Sequence, residues 1–94
     1  MIPLYANNGF TLHPNYPNPF NPGTVIPVEL HASGHCTLQV LDFMGKVVAV
    51  PHDGFLEVGA HRFGFDARAL PSGVYSYRVI MDGVTLTRPM LLLR

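Results

Sequence analysis

Nine glycines and nine prolines punctuate the chain every few residues, and no eleven-residue window repeats its apolar residues with a helical period. Helix is thereby excluded and strands remain. The punctuation is densest in "HPNYPNPFNPGT", His13 to Thr24. Each proline there fixes φ at about −65° and removes an N–H, and each residue before a proline is pushed towards extended backbone, so neither a helix nor a central strand forms. The segment reads as a stiff lead-in with two aromatics, Tyr16 and Phe20, around Pro17-Asn18-Pro19. In β geometry residues 16, 18 and 20 face one way, whereas in polyproline II geometry Phe20 is turned by about 120° from Tyr16. Spacing leaves both open. As two plugs, the aromatics let the segment cover an open end of a sandwich and blunt an edge without a ladder of its own.

Period-two alternation organises the rest. Ile26, Val28 and Leu30 alternate with Val25, Pro27, Glu29 and His31, and Pro27 on the wetter face argues for an edge strand. Ala32-Ser33-Gly34 reads as the turn of a hairpin into Cys36, Leu38 and Val40. Asp42-Phe43-Met44-Gly45-Lys46 is the next turn, followed by a short strand over Val47–Val50 and a loop around Pro51-His52-Asp53-Gly54. His61, Phe63 and Phe65 share one face between Gly59 and Asp66. Leu70-Pro71-Ser72-Gly73 breaks the chain, with Gly73 a corner glycine suited to positive φ. Beyond it Tyr75, Tyr77, Val79 and Met81 alternate with Ser76, Arg78 and Ile80, and Tyr75 or Tyr77 stands where a tyrosine corner belongs. Asp82-Gly83 makes a tight hairpin into a last strand from Val84 to Arg94. The pattern predicts an all-β fold, an immunoglobulin-like β-sandwich of about seven antiparallel strands, without the Trp and cysteine pair of antibody domains.

Composition narrows the function classes. With 94 residues, 48% hydrophobic and 13% charged, the chain suits one packed domain. Its six basic and six acidic residues cancel and are scattered, leaving no electrostatic footprint for nucleic acid or an anionic membrane. No apolar run approaches membrane-helix length, so no membrane insertion is expected, and the first ten residues lack the basic start of an export signal. Export would then require a longer precursor or an address elsewhere. Cys36 is alone and makes no internal disulfide.

Chemistry finds little footing. Ser33, Ser72 and Ser76 lie in or beside turns without a nucleophile elbow, and neither a Ser-His-Asp set nor paired carboxylates can be assembled, so the domain is expected to be no enzyme and to need no cofactor. His31 and His35 flank the first turn and face outwards, opposite each other if it is a hairpin, but two imidazoles fall short of a firm metal site. Solvated histidines are the simpler account. His61 beside Phe63 and Phe65 reads as a hydrogen-bonded core histidine. Pro14–Pro17 and Pro19–Pro22 fit the P-x-x-P ligand pattern, which the plug reading outweighs.

Five motifs in order carry a family likeness. "Asn15-Tyr-Pro-Asn-Pro-Phe-Asn-Pro-Gly-Thr24" resembles the opening of the type IX secretion system type A C-terminal sorting domain. "Leu41-Asp-Phe-Met-Gly-Lys-Val-Val48", "Gly59-Ala-His61" with "Phe63-Gly-Phe-Asp66", "Leu70-Pro-Ser-Gly-Val-Tyr-Ser-Tyr-Arg78" and "Thr87-Arg-Pro-Met-Leu-Leu-Leu-Arg94" are similar to its later motifs. Phe65 stands where tryptophan is common, and Pro89 interrupts the final strand. The resemblance implies a non-catalytic address label at the end of a larger exported precursor. It implies passage through the periplasm and then the cell surface or release. Its implied partners are the type IX outer-membrane translocon, a sortase-like protease that removes the label, and an N-terminal cargo domain. Residues 10–94 would form the sorting domain and 1–9 an N-terminal extension, with Ala6-Asn7-Asn8-Gly9 the linker candidate. The structural motif positions are Tyr16, Pro17, Asn18, Pro19, Phe20, Gly45, Gly73 and Tyr75.

In the last strand Val84, Leu86, Met90 and Leu92 share one parity and Thr85, Thr87, Leu91 and Leu93 the other, so its end is apolar on both faces. Either the proline segment or a dimer partner covers Leu91 and Leu93, or Arg88, Met90, Leu91, Leu92, Leu93 and Arg94 form a docking edge open to strand addition. A carbohydrate-binding accessory module is the rival from another class, and its platform would come from Tyr5, Phe10, Tyr16, Phe20 and Phe55.

Overall fold

Alternating burial sorts the chain into seven strands in a computed structural model that describes residues 5–94. In order they are β1 (Phe10–Leu12), β2 (Gly23–Leu30), β3 (Gly34–Leu41), β4 (Val47–Leu56), β5 (Gly59–Asp66), β6 (Gly73–Met81) and β7 (Val84–Leu92). All pairings are antiparallel. They build a three-stranded sheet, β1-β2-β5, facing a four-stranded sheet, β4-β3-β6-β7. The expected all-β sandwich is the fold. Its core is the set of inward rows: Phe10 and Leu12, then Ile26, Val28 and Leu30, answered by Cys36, Leu38, Val40, Tyr77 and Val79 from the other sheet. Burial pushes the Cys36 thiol above its ordinary pKa, consistent with a small apolar filler.

Three features differ from the sequence expectation. β2 pairs with β1 and β5 and β3 with β4 and β6, so Ala32-Ser33 arches from one sheet to the other and is no hairpin turn. His31 and His35 consequently sit in different sheets: the His31 Nε2 lies 2.8 Å from the Thr11 hydroxyl, and the His35 Nε2 lies 3.1 Å from the Asp53 carboxylate. The two-imidazole pair does not form. Second, β4 runs unbroken through Pro51 to Leu56, because it is an edge strand and its register shifts beside Pro51. An edge and a bulge are where a sheet tolerates proline. Third, Pro27 lies in the middle strand of its sheet. Val25 exchanges both backbone bonds with Tyr16, and Pro27, two residues on, turns its carbonyl to His13, so its missing N–H faces the lead-in and costs the β5 ladder nothing.

Two turns follow their residues. Asp82 and Gly83 both have positive φ, 53° and 75°, as the two-residue hairpin requires. In the β3–β4 turn the Asp42 carboxylate accepts the N–H groups of Met44 and Lys46, and Gly45 takes φ 84°. Gly73 takes φ 156°, the positive value expected of a glycine at this corner.

Candidate functional site

Where the chain arranges its polar groups with most care is the strap His13–Pro22 and the strand end it meets. The strap begins on one sheet and ends on the other. Tyr16 bridges β2 at Val25, and Phe20 bridges β7 at Leu92. Opposite residues of an antiparallel pair share a face, and Val25 points outwards, so Tyr16 does too, 79% exposed. Phe20 instead turns into the core, 1% exposed, with its ring edge-on to Phe65 at 6.4 Å. Only one of the two expected plugs is a plug.

Several strap groups without a regular ladder find other partners, as backbone groups at a buried edge must. The Tyr77 hydroxyl donates to the His13 carbonyl at 2.6 Å and accepts the Asn15 N–H at 2.9 Å. Buried Asn15 donates its amide to the Thr24 hydroxyl, which itself donates to the Pro17 carbonyl at 2.9 Å. Burial raises the Tyr77 pKa while the Arg88 charge partly opposes it, so the hydroxyl keeps the proton it donates. Tyr75 acts elsewhere, with its hydroxyl donating to the Pro71 carbonyl four residues upstream, which makes it the tyrosine corner.

The strap occupies the edge where an added strand was expected. The Phe20 N–H donates to the Leu91 carbonyl, the Leu93 N–H to the Phe20 carbonyl, and the Leu91 N–H to the Asn18 side chain. Residues 91 and, by alternation, 89 therefore turn their backbone groups away from β6. Pro89 lacks its N–H on that outer edge, which leaves its register with Ser76 uninterrupted. Met90 and Leu92 are core residues, 2% and 0% exposed, and are removed from the surface set.

What remains accessible is Arg88, Leu91, Leu93 and Arg94. Leu91 is half-buried, with Val74 beside it across the β6–β7 pair, and Leu93 is 50% exposed. Arg94 donates through one guanidinium nitrogen to the Ala67 and Leu70 carbonyls at 3.1 and 2.7 Å, and its own N–H goes to the Ser72 hydroxyl. Arg88 lies with its guanidinium 3.9 Å above the Tyr5 ring and 3.4 Å from the Leu12 carbonyl, stapling β7 to the other sheet.

The expected extension, residues 1–9, lies partly outside the described residues, and its described part is folded onto the domain. The Tyr5 carbonyl accepts the Leu12 N–H, Ala6 bridges Thr11, and the Asn7 side chain accepts the N–H groups of Gly9 and Phe10. These bonds tie Ala6–Gly9 to β1. His61 is half-buried and not core, its Nε2 2.7 Å from the Glu57 carbonyl. Of the aromatic platform candidates, Phe10 and Phe20 are buried and Tyr5 is covered by Arg88, while Tyr16 and Phe55 are exposed beside different sheets. Sequence reasoning missed Asn15 and Tyr77 as the strap's anchor. The usable signal was that a buried tyrosine hydroxyl needs a partner.

A family profile described as "Secretion system C-terminal sorting domain" matches residues 15–92, from the strap to the strand end that the strap pairs with. No curated protein matches the chain. A similar solved structure comes from a study of PorZ, an essential bacterial surface component of the type-IX secretion system of human oral-microbiomic Porphyromonas gingivalis. Its TM-score is 0.62 at 23% identity, over 88% of this chain and 11% of that one. At that identity the likeness is one of fold.

Proposed function

Because the chain belongs to the family of secretion system C-terminal sorting domains, we propose that the intact sandwich, more than any linear tail, is the address its partners recognise. The domain is a type IX sorting signal, and such signals are generally non-catalytic. The observation that carries the reading is the extent of the family match, which takes in both halves of the strap-to-β7 closure. The carbohydrate-binding alternative is not favoured, since its exposed aromatics share no face.

The finer assignments extend the family membership. The precursor carries an N-terminal cargo region, passes through the periplasm and is received by the outer-membrane translocon, with a sortase-like protease removing the label. The recognition surface is the side-chain face of Leu91 and Leu93 with Arg94, whereas Arg88, opposite buried Tyr77, lies on the inner face as a staple between the sheets. Phe20 already pairs with that edge, so the partner reads side chains and adds no strand there. Met90 and Leu92 hold the face from inside.

The test appends the chain to a periplasmically targeted fluorescent reporter in a host with a type IX system. Surface or extracellular fluorescence is expected, and its absence overturns the sorting assignment for this chain. Changing Leu91 and Leu93 together to Thr keeps β propensity and removes the apolar pair. Export should fail while the isolated domain melts cooperatively. Normal export by that variant would move the recognition surface elsewhere.

A further inference from the structure

The edges of the two sheets are not equally protected. Along β7 the strap takes Leu91 and Leu93 and Pro89 withholds an N–H, β1 is bridged by Ala6, and the ladder of β4 with β3 shifts register beside Pro51. β5 has none of these devices. It pairs with β2 over eight consecutive residues without a shift and holds neither proline nor lysine. Val25 and Pro27 turn their backbone groups towards Tyr16 and His13, so their β5 partners, Gly64 and Arg62, aim theirs outwards, and Ala60 does so by alternation.

The sequence of this edge is complementary to itself. Laid antiparallel on a second copy about Gly64, it sets Arg62 opposite Asp66 twice and Phe63 opposite Phe65 twice. Arg62, Gly64 and Asp66 lie on the exposed face, and Phe63 and Phe65 are half-buried on the other. The pairs Gly64 to Gly64 and Arg62 to Asp66 fall on residues whose backbone groups point outwards, as hydrogen-bonded pairs require. Neighbouring registers that keep the same faces set Arg62 against Gly64, against Arg62 or against Arg68. Arg62 has no ion-pair partner among the described residues. Asp66 is bonded by Arg68, which holds its carboxyl below the usual range, and its side chain is still 49% exposed.

We propose that β5 is a self-association edge that joins two copies of this chain about a twofold axis at Gly64, fusing two three-stranded sheets into one. The Arg62–Asp66 pairs select the register and the phenylalanine pairs fill the seam. This goes beyond the sorting function and does not depend on it.

Sedimentation velocity on the chain across a concentration series tests the proposal. A reversible monomer–dimer equilibrium is expected. Arg62→Glu and Asp66→Arg should each weaken it about tenfold, because like charges then face each other twice, and the double variant carrying both changes should recover the parent affinity. Gly64→Pro removes an outward N–H without taking a bond from β2, so it should abolish the dimer while cooperative melting persists. If Gly64→Pro fails to fold, the charge series still decides. A chain that stays monomeric to ~1 mM overturns the proposal, and so does a dimer whose affinity the charge reversals leave unchanged.

Discussion

The Tyr77 hydroxyl lies 2.6 Å from the carbonyl of His13, a residue 64 positions earlier, and this one contact ties the start of the strap to the middle of the opposite sheet. Tyr77→Phe leaves the His13 carbonyl and the Asn15 N–H without their partner, at a cost of roughly 1–3 kcal/mol in chemical denaturation. A loss within error would mean that the strap is held by its other bonds.

The same hydroxyl makes an alkaline prediction. Its folded pKa is raised by burial above the ordinary 10.0, so below that value folded and unfolded chains both hold the proton and the stabilisation is fully present. As pH rises further the unfolded chain ionises first, and stability falls until the folded value is passed. Tyr77→Phe should flatten that slope in melts above the ordinary value. An unchanged slope would assign the alkaline loss to other groups.

The strap's two aromatics should part company under mutation. Phe20→Ala empties a core position against Phe65 and should cost roughly 3–5 kcal/mol, whereas Tyr16→Ala, at an exposed site, should stay within about 0.5 kcal/mol. Equal losses would contradict the outward direction that Val25 imposes on Tyr16.

Much of this was legible because burial writes its period into the chain. Ile26, Val28 and Leu30 in β2 and Tyr75, Tyr77 and Val79 in β6 alternate cleanly, so strands and core follow from them. Partner choice is not written so locally. Ala32-Ser33 has the composition of a hairpin turn whether the chain folds back or crosses to the other sheet, and only the pairing of β2 with β5 decides. The prolines misled for a related reason. Pro27 and Pro89 look like interruptions in a face pattern, but what matters is the edge to which the absent N–H points, which alternates independently of the face. The tail shows the same limit: parity correctly paired Met90 with Leu92 and Leu91 with Leu93, yet gave no sign that Phe20 would reach that edge.

The β3–β4 turn offers a separation of side-chain and backbone effects. A Cβ on Gly45 would meet nothing within 4 Å, so any loss in Gly45→Ala comes from its φ of 84° and should be about 1 kcal/mol. Gly64→Ala also meets open space but lies in extended backbone, and should be neutral within about 0.5 kcal/mol. Similar losses at both positions in equilibrium unfolding would defeat the conformational explanation.

Arg94 serves two readings that a charge-conserving change separates. Its guanidinium clamps the Ala67 and Leu70 carbonyls, a geometric role, and it also presents a positive charge beside Leu93 for a partner to read. Arg94→Lys keeps the charge and loses the planar fork, whereas Arg94→Gln loses both. If the charge is what the secretion machinery reads, the Lys variant exports the reporter and the Gln variant strands it, while the two domains melt within a few degrees of each other. If the clamp is the whole role, both variants melt lower and export tracks stability, with no difference between Lys and Gln at matched folded fraction. We expect the first outcome, because the clamped loop is also held by the Tyr75–Pro71 corner and by the Ala67 N–H donating to the Pro22 carbonyl, so the geometric role is already shared.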